Sequence, residues 1–221
     1  MQTIPSILEK DASSLFYQIN KLSPYFKRFQ IDIADGIFVP NKTVQIDEIK
    51  DVLNKDSLYK DCLFDFHLMV KDYESEIKKL EKLKNLINIK NVFVHADLHP
   101  NYELLTTNYP LSIGLVLNPQ DQVSDLTSHY ALDTIPCLQI MSVVPGFQGS
   151  PFIPETLNKI EQLRVLGYKS NIFIDGAVND KTLPFINKQR FKPDFICPGS
   201  YLTKAKDLKK NVEYLLKLEN S

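Results

Sequence analysis

The amino-acid sequence predicts an α/β fold, a single-domain (β/α)₈ TIM barrel that spans residues 1–221. Short apolar runs alternate along the whole chain with segments of helical spacing, which is typical of parallel strands joined by helices. Eight such units fit into 221 residues, close to the usual length of a closed barrel. The sequence has no Gly/Ser-rich linker and no internal repeat, so nothing marks a boundary between domains.

The eight predicted strands are rich in apolar residues on both faces, as expected for strands that helices cover. An open, doubly wound sheet is the alternative, because periodicity does not report closure. That fold would favour a glycine-rich dinucleotide motif after the first strand, and PSILEKDAS contains no glycine. In chain order the strands are TIPSIL, RFQIDI, LFDFHLMV, NVFVHA, SIGLVLN, CLQIMSV, NIFIDG and DFICPGS.

Between the strands, apolar residues recur at helical spacing, most clearly in segments 11–22 and 73–87. The helix after the sixth strand is expected to have Pro154 in its first turn and to stop at Gly167. Pro184 predicts a short or late helix after the seventh strand. The apolar stripes are Leu15, Ile19 and Leu22; Ile77, Leu80 and Leu83; Leu157, Ile160 and Leu163; and Leu208, Val212 and Leu215.

Composition excludes several classes of partner. The chain has 26 basic and 27 acidic residues and a net charge of −1, with no long block of either sign, which argues against nucleic acid and membrane surfaces. Cys62, Cys137 and Cys197 lie in apolar runs at spacings that match no metal site, so we expect core thiols in a reducing compartment. The first residues do not resemble a secretion signal, and the expected location is the cytoplasm.

Polar residues interrupt the predicted strands near their carboxyl ends, where barrels place reactive groups. In the second strand, alternation puts Gln30 and Asp32 on one face. Two carboxylates and a histidine meeting at one end of a barrel could hold a divalent cation, and Gln30 could add its carbonyl oxygen. Any one of these residues alone would more often be a satisfied polar residue in a strand cap. The full set is Ser6, Gln30, Asp32, His67, His95, Asn118, Ser142 and Asp175.

Glycine turns follow the last three predicted strands: VVPGFQGSPF, IDGAV and PGSYL. Such turns expose backbone N–H groups at the corner of a barrel that commonly binds phosphate. None of the three contains lysine or arginine, so binding would depend mainly on amide dipoles.

Taken together, the motifs PSIL, DIADGIFVPN, FHLMV, MSVVPGFQGSPF, IDGAV and PGS closely resemble the ribulose-phosphate 3-epimerase family, in the same order and over essentially the whole chain. The resemblance implies an isomerase of the pentose phosphate pathway, in carbohydrate metabolism, that interconverts D-ribulose 5-phosphate and D-xylulose 5-phosphate. It also implies one divalent metal ion (Zn, Fe, Mn or Co) and a homo-oligomer, with a small sugar phosphate as the substrate.

By the same resemblance, Asp32 and Asp175 are the two catalytic acid/base groups and also metal ligands. His67 is a third metal ligand that also contacts substrate. Inversion at C3 requires proton removal on one face and proton return on the other, which fits a pair of carboxylates. The remaining residues implied to contact substrate or phosphate are Ser6, Met69, Met141, Gly146, Phe147, Gln148, Gly149, Gly176, Ala177, Gly199 and Ser200.

The chain departs from the family pattern at several positions. Gln30 stands where a second metal-binding histidine is usual; an amide oxygen binds metal more weakly than imidazole, so Gln30 is either a weak ligand or only a polar neighbour. Ala34 and Ile37 replace a usual methionine and histidine. Ala177 and Gln148 replace glycines but keep their backbone amides, and we expect phosphate binding to survive if their φ angles are negative.

The sequence leaves three alternatives open. The segment PFIPE resembles the D-allulose-6-phosphate 3-epimerase branch, whose substrate is one carbon longer. The loss of histidine at position 30 would also suit a degenerate barrel that binds a sugar phosphate without turning it over. His95 is as readily a buried structural imidazole as a catalytic one, and His99 and His129 are expected at the surface without a role.

Overall fold

The computed structural model describes residues 1–53 and 59–219. Within them the strands are β1 (Gln2–Thr3), β2 (Ser6–Ile7), β3 (Arg28–Ala34), β4 (Leu63–Met69), β5 (Asn88–His95), β6 (Ile113–Leu117), β7 (Cys137–Met141), β8 (Asn171–Asp175) and β9 (Phe195–Cys197). The α-helices are α1 (Ala12–Leu22), α2 (Ile46–Leu53), α3 (Tyr73–Leu83), α4 (Tyr102–Asn108), α5 (Val123–His129), α6 (Asn158–Val165), α7 (Leu183–Asn187), α8 (Ser200–Thr203) and α9 (Leu208–Glu219). Short 3₁₀ segments cover Ala96–Leu98, Leu132–Thr134 and Pro154–Leu157.

The sheet is parallel throughout and closes into a barrel, which confirms the predicted fold over the open alternative. Strands β1 and β2 are two halves of the first predicted strand, divided at Ile4 and Pro5; β1 pairs with β9, and β2 pairs with β3. The break lets this stretch of chain form hydrogen bonds with both neighbouring strands, β9 and β3. Ile4 N–H donates to Ile196 O (2.9 Å), and Gln30 N–H donates to Pro5 O (2.8 Å).

Helix boundaries follow local hydrogen bonding. Asp11 caps α1 through its carboxylate, which accepts from Ser14 N–H at 2.8 Å. Helix α3 ends at Leu83, four residues before the predicted end, because Leu86 N–H bonds to Leu83 O in a tight last turn that leads into β5. Helix α7 is only five residues long with a proline in its first turn, as Pro184 predicted.

The core has two layers. Most buried apolar side chains pack between the outside of the sheet and the helices, and a smaller group, including Phe93 and Phe173, fills the barrel interior. At the amino end of the barrel Arg28 makes a bidentate pair with the buried Asp65 (2.8 and 2.9 Å) and lies 4.8 Å from the ring centre of Phe195. This packing fills the amino end of the barrel with a charged pair and aromatic rings.

The three cysteines are buried free thiols, as predicted. Among the described residues, no helix combines the length and the apolar character needed to cross a membrane.

Candidate active site

A cleft opens at the carboxyl ends of the strands, and the inward-facing residues of β3, β4 and β8 form its floor. Alternation points Gln30, Asp32 and Ala34 inward from β3, and all three are buried. Asp32 lies beside His67 of β4 in the strand register, and Asp175 ends β8. The fold therefore brings together the two carboxylates and the imidazole that the sequence singled out.

These three side chains form a compact set of potential metal ligands. His67 Nδ1 lies 3.3 Å from Asp32 Oδ1 and 3.4 Å from Asp175 Oδ2, and the three ligand atoms lie within 4.8 Å of one another. Neither contact has the alignment of a hydrogen bond, and Nδ1 is buried without a partner among the described residues. A buried nitrogen directed between two carboxylate oxygens suits a first-row divalent cation, for which imidazole and carboxylate are common ligands.

Gln30 lies beneath this set and joins the two carboxylates. Its Nε2 donates to Asp32 Oδ1 at 2.9 Å and to Asp175 Oδ2 at 2.7 Å, whereas its Oε1 is buried and has no partner in the part of the chain that the structure describes. The carboxylates accept only if the amide nitrogen faces them, since an oxygen there would oppose two negative oxygens. In this arrangement Gln30 is a hydrogen-bond donor to the acidic pair.

Two further donors fix the carboxylates. Ser6 Oγ donates to Asp32 Oδ2 at 2.6 Å, and Gln139 Nε2 donates to Asp175 Oδ2 at 3.0 Å. Sequence reasoning missed Gln139 because it lies in the middle of a run that is otherwise apolar. The signal was the alternation of CLQIM, which places Gln139 on the same inward face as Met141.

The charges of these three side chains shift one another's pKa values. Burial alone would lower the pKa of His67, but the polar contacts and negative charges of Asp175 and Asp32 outweigh it and raise that pKa to about 9. Burial and the neighbouring charge of Asp32 raise the pKa of Asp175, although His67 and Gln30 oppose the rise. A protonated His67 thus balances part of the negative charge when no cation is bound.

His95 contacts the ring nitrogen of His67 that faces away from the carboxylates. Its Nε2 lies 2.9 Å from His67 Nε2, and the ring of Phe38 covers it at 4.6 Å between ring centres. Burial, followed by the charge of His67, holds the pKa of His95 well below its usual value. A neutral His95 can accept a hydrogen bond at its Nε2 from the Nε2–H group of His67, which leaves Nδ1 of His67 directed at the carboxylates.

The other polar residues predicted at strand ends lie outside the ligand set. Ser142 Oγ donates to Gly176 O at 2.6 Å and so holds the turn after β8, and Asn118 donates to Asp97 at 3.1 Å. His99 and His129 are exposed, as predicted, with ring centres 5.4 Å apart.

The turn after β8 bears on the φ condition that the sequence sets for phosphate binding at Ala177. Gly176 has φ +110°, and a Cβ there would lie 2.5 Å from Val143 Cγ2, so only glycine fits. Ala177 follows with φ +49°, in the left-handed region, so the condition of a negative φ is not met at this residue. The strained turn is kept because Ala177 O accepts from both Asn179 Nδ2 (2.8 Å) and Thr182 Oγ1 (2.6 Å). Gln148 does have a negative φ and so meets the same condition.

The walls of the cleft carry free backbone donors. The N–H groups of Gly176, Ala177 and Gly199 donate no hydrogen bond within the described part of the chain. Of the residues that the structure describes, no lysine or arginine lines the cleft. Every other predicted substrate-contacting residue lines it as well: Ser6, His67, Met69, Met141, Gly146, Phe147, Gln148, Gly149 and Ser200. Sequence reasoning did not single out Leu8, Val143, Pro145, Ser150, Val178 and Cys197, which also contribute.

Comparison with known proteins gives matches of two kinds. The sequence model of the ribulose-phosphate 3 epimerase family matches residues 2–202. A ribulose-phosphate 3-epimerase of Helicobacter pylori is 30% identical over 228 aligned residues, which cover 100% of this chain and 99% of the relative. One from Methanocaldococcus jannaschii is 30% identical and covers 83% of this chain and 76% of the relative.

Among solved structures, a tryptophan synthase complex from Pyrococcus furiosus matches with a TM-score of 0.66 at 12% identity, covering 97% of each chain. The 3-hexulose-6-phosphate synthase of Salmonella typhimurium matches with a TM-score of 0.65 at 13% identity over 100% of each chain. At such low identity these two matches support the barrel fold alone.

Proposed function

The chain belongs to the ribulose-phosphate 3-epimerase family, and on that premise we propose that it is a metal-dependent epimerase that interconverts D-ribulose 5-phosphate and D-xylulose 5-phosphate. The observation that carries the proposal is the convergence of Asp32 and Asp175. They come from distant parts of the chain, yet both accept a hydrogen bond from the one amide nitrogen of Gln30.

Epimerisation at C3 needs two proton-transfer groups around one carbon atom. One group removes the C3 proton from one face of the sugar, and the other returns a proton to the opposite face. Asp32 and Asp175 fill these roles in our proposal, with each serving as base for one epimer and as acid for the other. The raised pKa of Asp175 suits a carboxyl group that must also donate a proton near neutral pH.

Neighbouring side chains hold the two acids in place for this task. Ser6 donates to Asp32, whereas Gln139 donates to Asp175, so each carboxylate has a fixed partner in addition to Gln30. Because these donors come from rigid strands, the acids keep their positions through both proton transfers. The buried Met69 and Met141 line the cleft beside the acids and exclude water from the reacting carbon.

Asp32, His67 and Asp175 would hold the divalent ion, whether Zn, Fe, Mn or Co. When bound, the ion supplies a Lewis acid that stabilises negative charge on the oxygens of C2 and C3 between the two proton transfers. His95 keeps His67 in the orientation in which its Nδ1 faces this position. Gln30 is a weaker candidate ligand than these three residues, because its side-chain amide must rotate before its oxygen faces the two carboxylates.

Product analysis tests the proposal directly. Metal-stripped protein is supplied with each of the four ions in turn and given D-ribulose 5-phosphate, and the sugars are identified by NMR. We expect D-xylulose 5-phosphate to form with at least one ion and to be lost on chelation. D-Allulose 6-phosphate is assayed side by side: faster turnover of that sugar would move the assignment to the longer substrate, and no turnover of either would support a binding-only barrel.

A further inference from the structure

We propose that the side-chain amide of Gln148 donates a hydrogen bond to the phosphate group of the substrate; this inference rests on the proposed function. Gln148 lies in the loop after β7 and contributes to the lining of the cleft. Its Nε2 is buried and has no hydrogen-bond partner within the described residues. A buried N–H without an acceptor is unfavourable, and an acceptor arriving with the substrate would remove that cost.

The position of this nitrogen identifies which acceptor it can meet. A Cβ added to Gly199 would lie 3.8 Å from Gln148 Nε2 and 3.9 Å from Ser6 Oγ, so the amide reaches across the cleft to the turn after β9. The backbone N–H groups of Gly199, Gly176 and Ala177 are free in the same cleft. Gln148 therefore adds a side-chain donor to a group of backbone donors.

Charge favours a phosphate on this side of the cleft. The two carboxylates lie on the floor, and a doubly charged phosphate must keep away from them. Within residues 1–53 and 59–219 no lysine or arginine lines the cleft, so binding there depends on neutral N–H donors, and each additional donor has a large effect. Where the family usually has a glycine, this chain has a side chain that can supply such a donor.

The loop that carries Gln148 is held over the cleft. Asn41 Nδ2 donates to Gly146 O at 2.8 Å, and a Cβ at Gly146 would lie 2.8 Å from Val39 Cβ, so the loop packs tightly on the segment after β3. Ser150 Oγ donates to Phe147 O at 3.2 Å within the loop itself. The amide is thus positioned before substrate arrives, which lowers the entropic cost of its hydrogen bond.

The opposite interpretation is that the amide fills the phosphate space and must be displaced. The two interpretations predict changes of opposite sign, and two variants separate them. Gln148→Gly removes the donor, and Gln148→Glu keeps the shape but replaces the donor with a negative charge. Gln120→Glu, an exposed residue at the same end of the barrel outside the cleft, is the matched control for added charge.

Two measurements are made on each full-length, metal-loaded protein: KM and kcat for the sugar phosphate, and calorimetric binding of inorganic phosphate. We expect Gln148→Gly to raise KM and the phosphate Kd about 10-fold, and Gln148→Glu to raise both about 100-fold, with KM changing more than kcat. Gln120→Glu should change neither by more than about twofold.

Unchanged constants in both Gln148 variants would overturn the inference. Tighter phosphate binding in Gln148→Gly would show that the amide is an obstruction, and a wild-type protein that binds no inorganic phosphate would contradict the inference as well. Failure of the proposed function has a different signature: the wild-type protein would not turn over the sugar, while phosphate binding would still report on Gln148.

Discussion

Gln30→His should tighten metal binding, because position 30 now supplies a competitor of the metal rather than a good ligand. In the metal-free protein the amide nitrogen of Gln30 donates to Asp32 Oδ1 (2.9 Å) and Asp175 Oδ2 (2.7 Å), two of the oxygens that a cation would need. An imidazole has a single N–H to direct at the pair and a lone pair that can bind the ion. Histidine thus removes a competing contact and adds a ligand.

The magnitude follows from the lost hydrogen bond. A hydrogen bond to a charged group contributes about 1.5–3 kcal/mol. Loss of one such competitor corresponds to about a 10-fold to 100-fold gain in metal affinity, before any contribution from the new ligand. Titration calorimetry of metal-stripped protein with Zn²⁺, Mn²⁺ and Co²⁺ measures this change. Gln162→His, which places an imidazole on the exposed face of α6, controls for adventitious binding.

Gln30→Ala separates the two contributions, since it removes both hydrogen bonds without adding a ligand. Metal affinity that rises in this variant identifies the amide as a competitor; affinity that falls identifies its oxygen as a ligand. Affinity of Gln30→His that stays within about twofold of the wild-type value would refute the reasoning, because position 30 would then not face the ion.

Three further predictions concern the same cleft. Asp175→Asn keeps an oxygen for the amide donors but loses the proton-transfer group, so kcat should fall by about 100-fold or more, while one of the two sugars still exchanges its C3 proton with solvent. Asp97→Asn, outside the cleft, is the control. Turnover of Asp175→Asn at the wild-type rate would count against a mechanism with two bases. The pKa of His67 is about 9 in the folded protein against an ordinary value of 6.5, so its contribution to the stability of the metal-free protein is full below pH 6.5 and is lost as the pH rises through 9. Metal affinity should rise with pH over the same window, by up to about tenfold per pH unit, because the ion competes with the proton on His67. A metal affinity that does not change with pH would exclude His67 as a ligand. Ala177→Gly should raise the free energy of unfolding by about 1 kcal/mol by relieving a left-handed alanine, whereas Ala131→Gly, at φ −73°, should lower it in the same denaturation assay.

The sequence predicted the barrel well because its signal is repeated eight times. Apolar runs and helical stripes each depend on local periodicity, and errors in one unit do not affect the others. The boundary errors were local as well: α3 ends early in a tight turn, and the first strand divides at Ile4 and Pro5 to close the sheet.

The site was predicted less completely, for physical reasons. Alternation in the second predicted strand placed Gln30 beside Asp32, but a sequence does not show which end of an amide faces a carboxylate. Gln139 was missed because one inward polar residue in a short apolar strand resembles ordinary variation. The left-handed φ of Ala177 goes with hydrogen bonds that its carbonyl accepts from the nearby side chains of Asn179 and Thr182, which outweigh the usual preference of alanine.

The most direct test of the central claim is the fate of hydrogen at C3 when D-ribulose 5-phosphate is epimerised in deuterium oxide by the metal-loaded protein. With Asp32 and Asp175 acting on opposite faces, the product D-xylulose 5-phosphate should carry deuterium at C3 from its first turnover, as mass spectrometry and NMR would record. Product that retains its original C3 hydrogen would mean that one group carries the proton across, and the account of two facing acids would be contradicted.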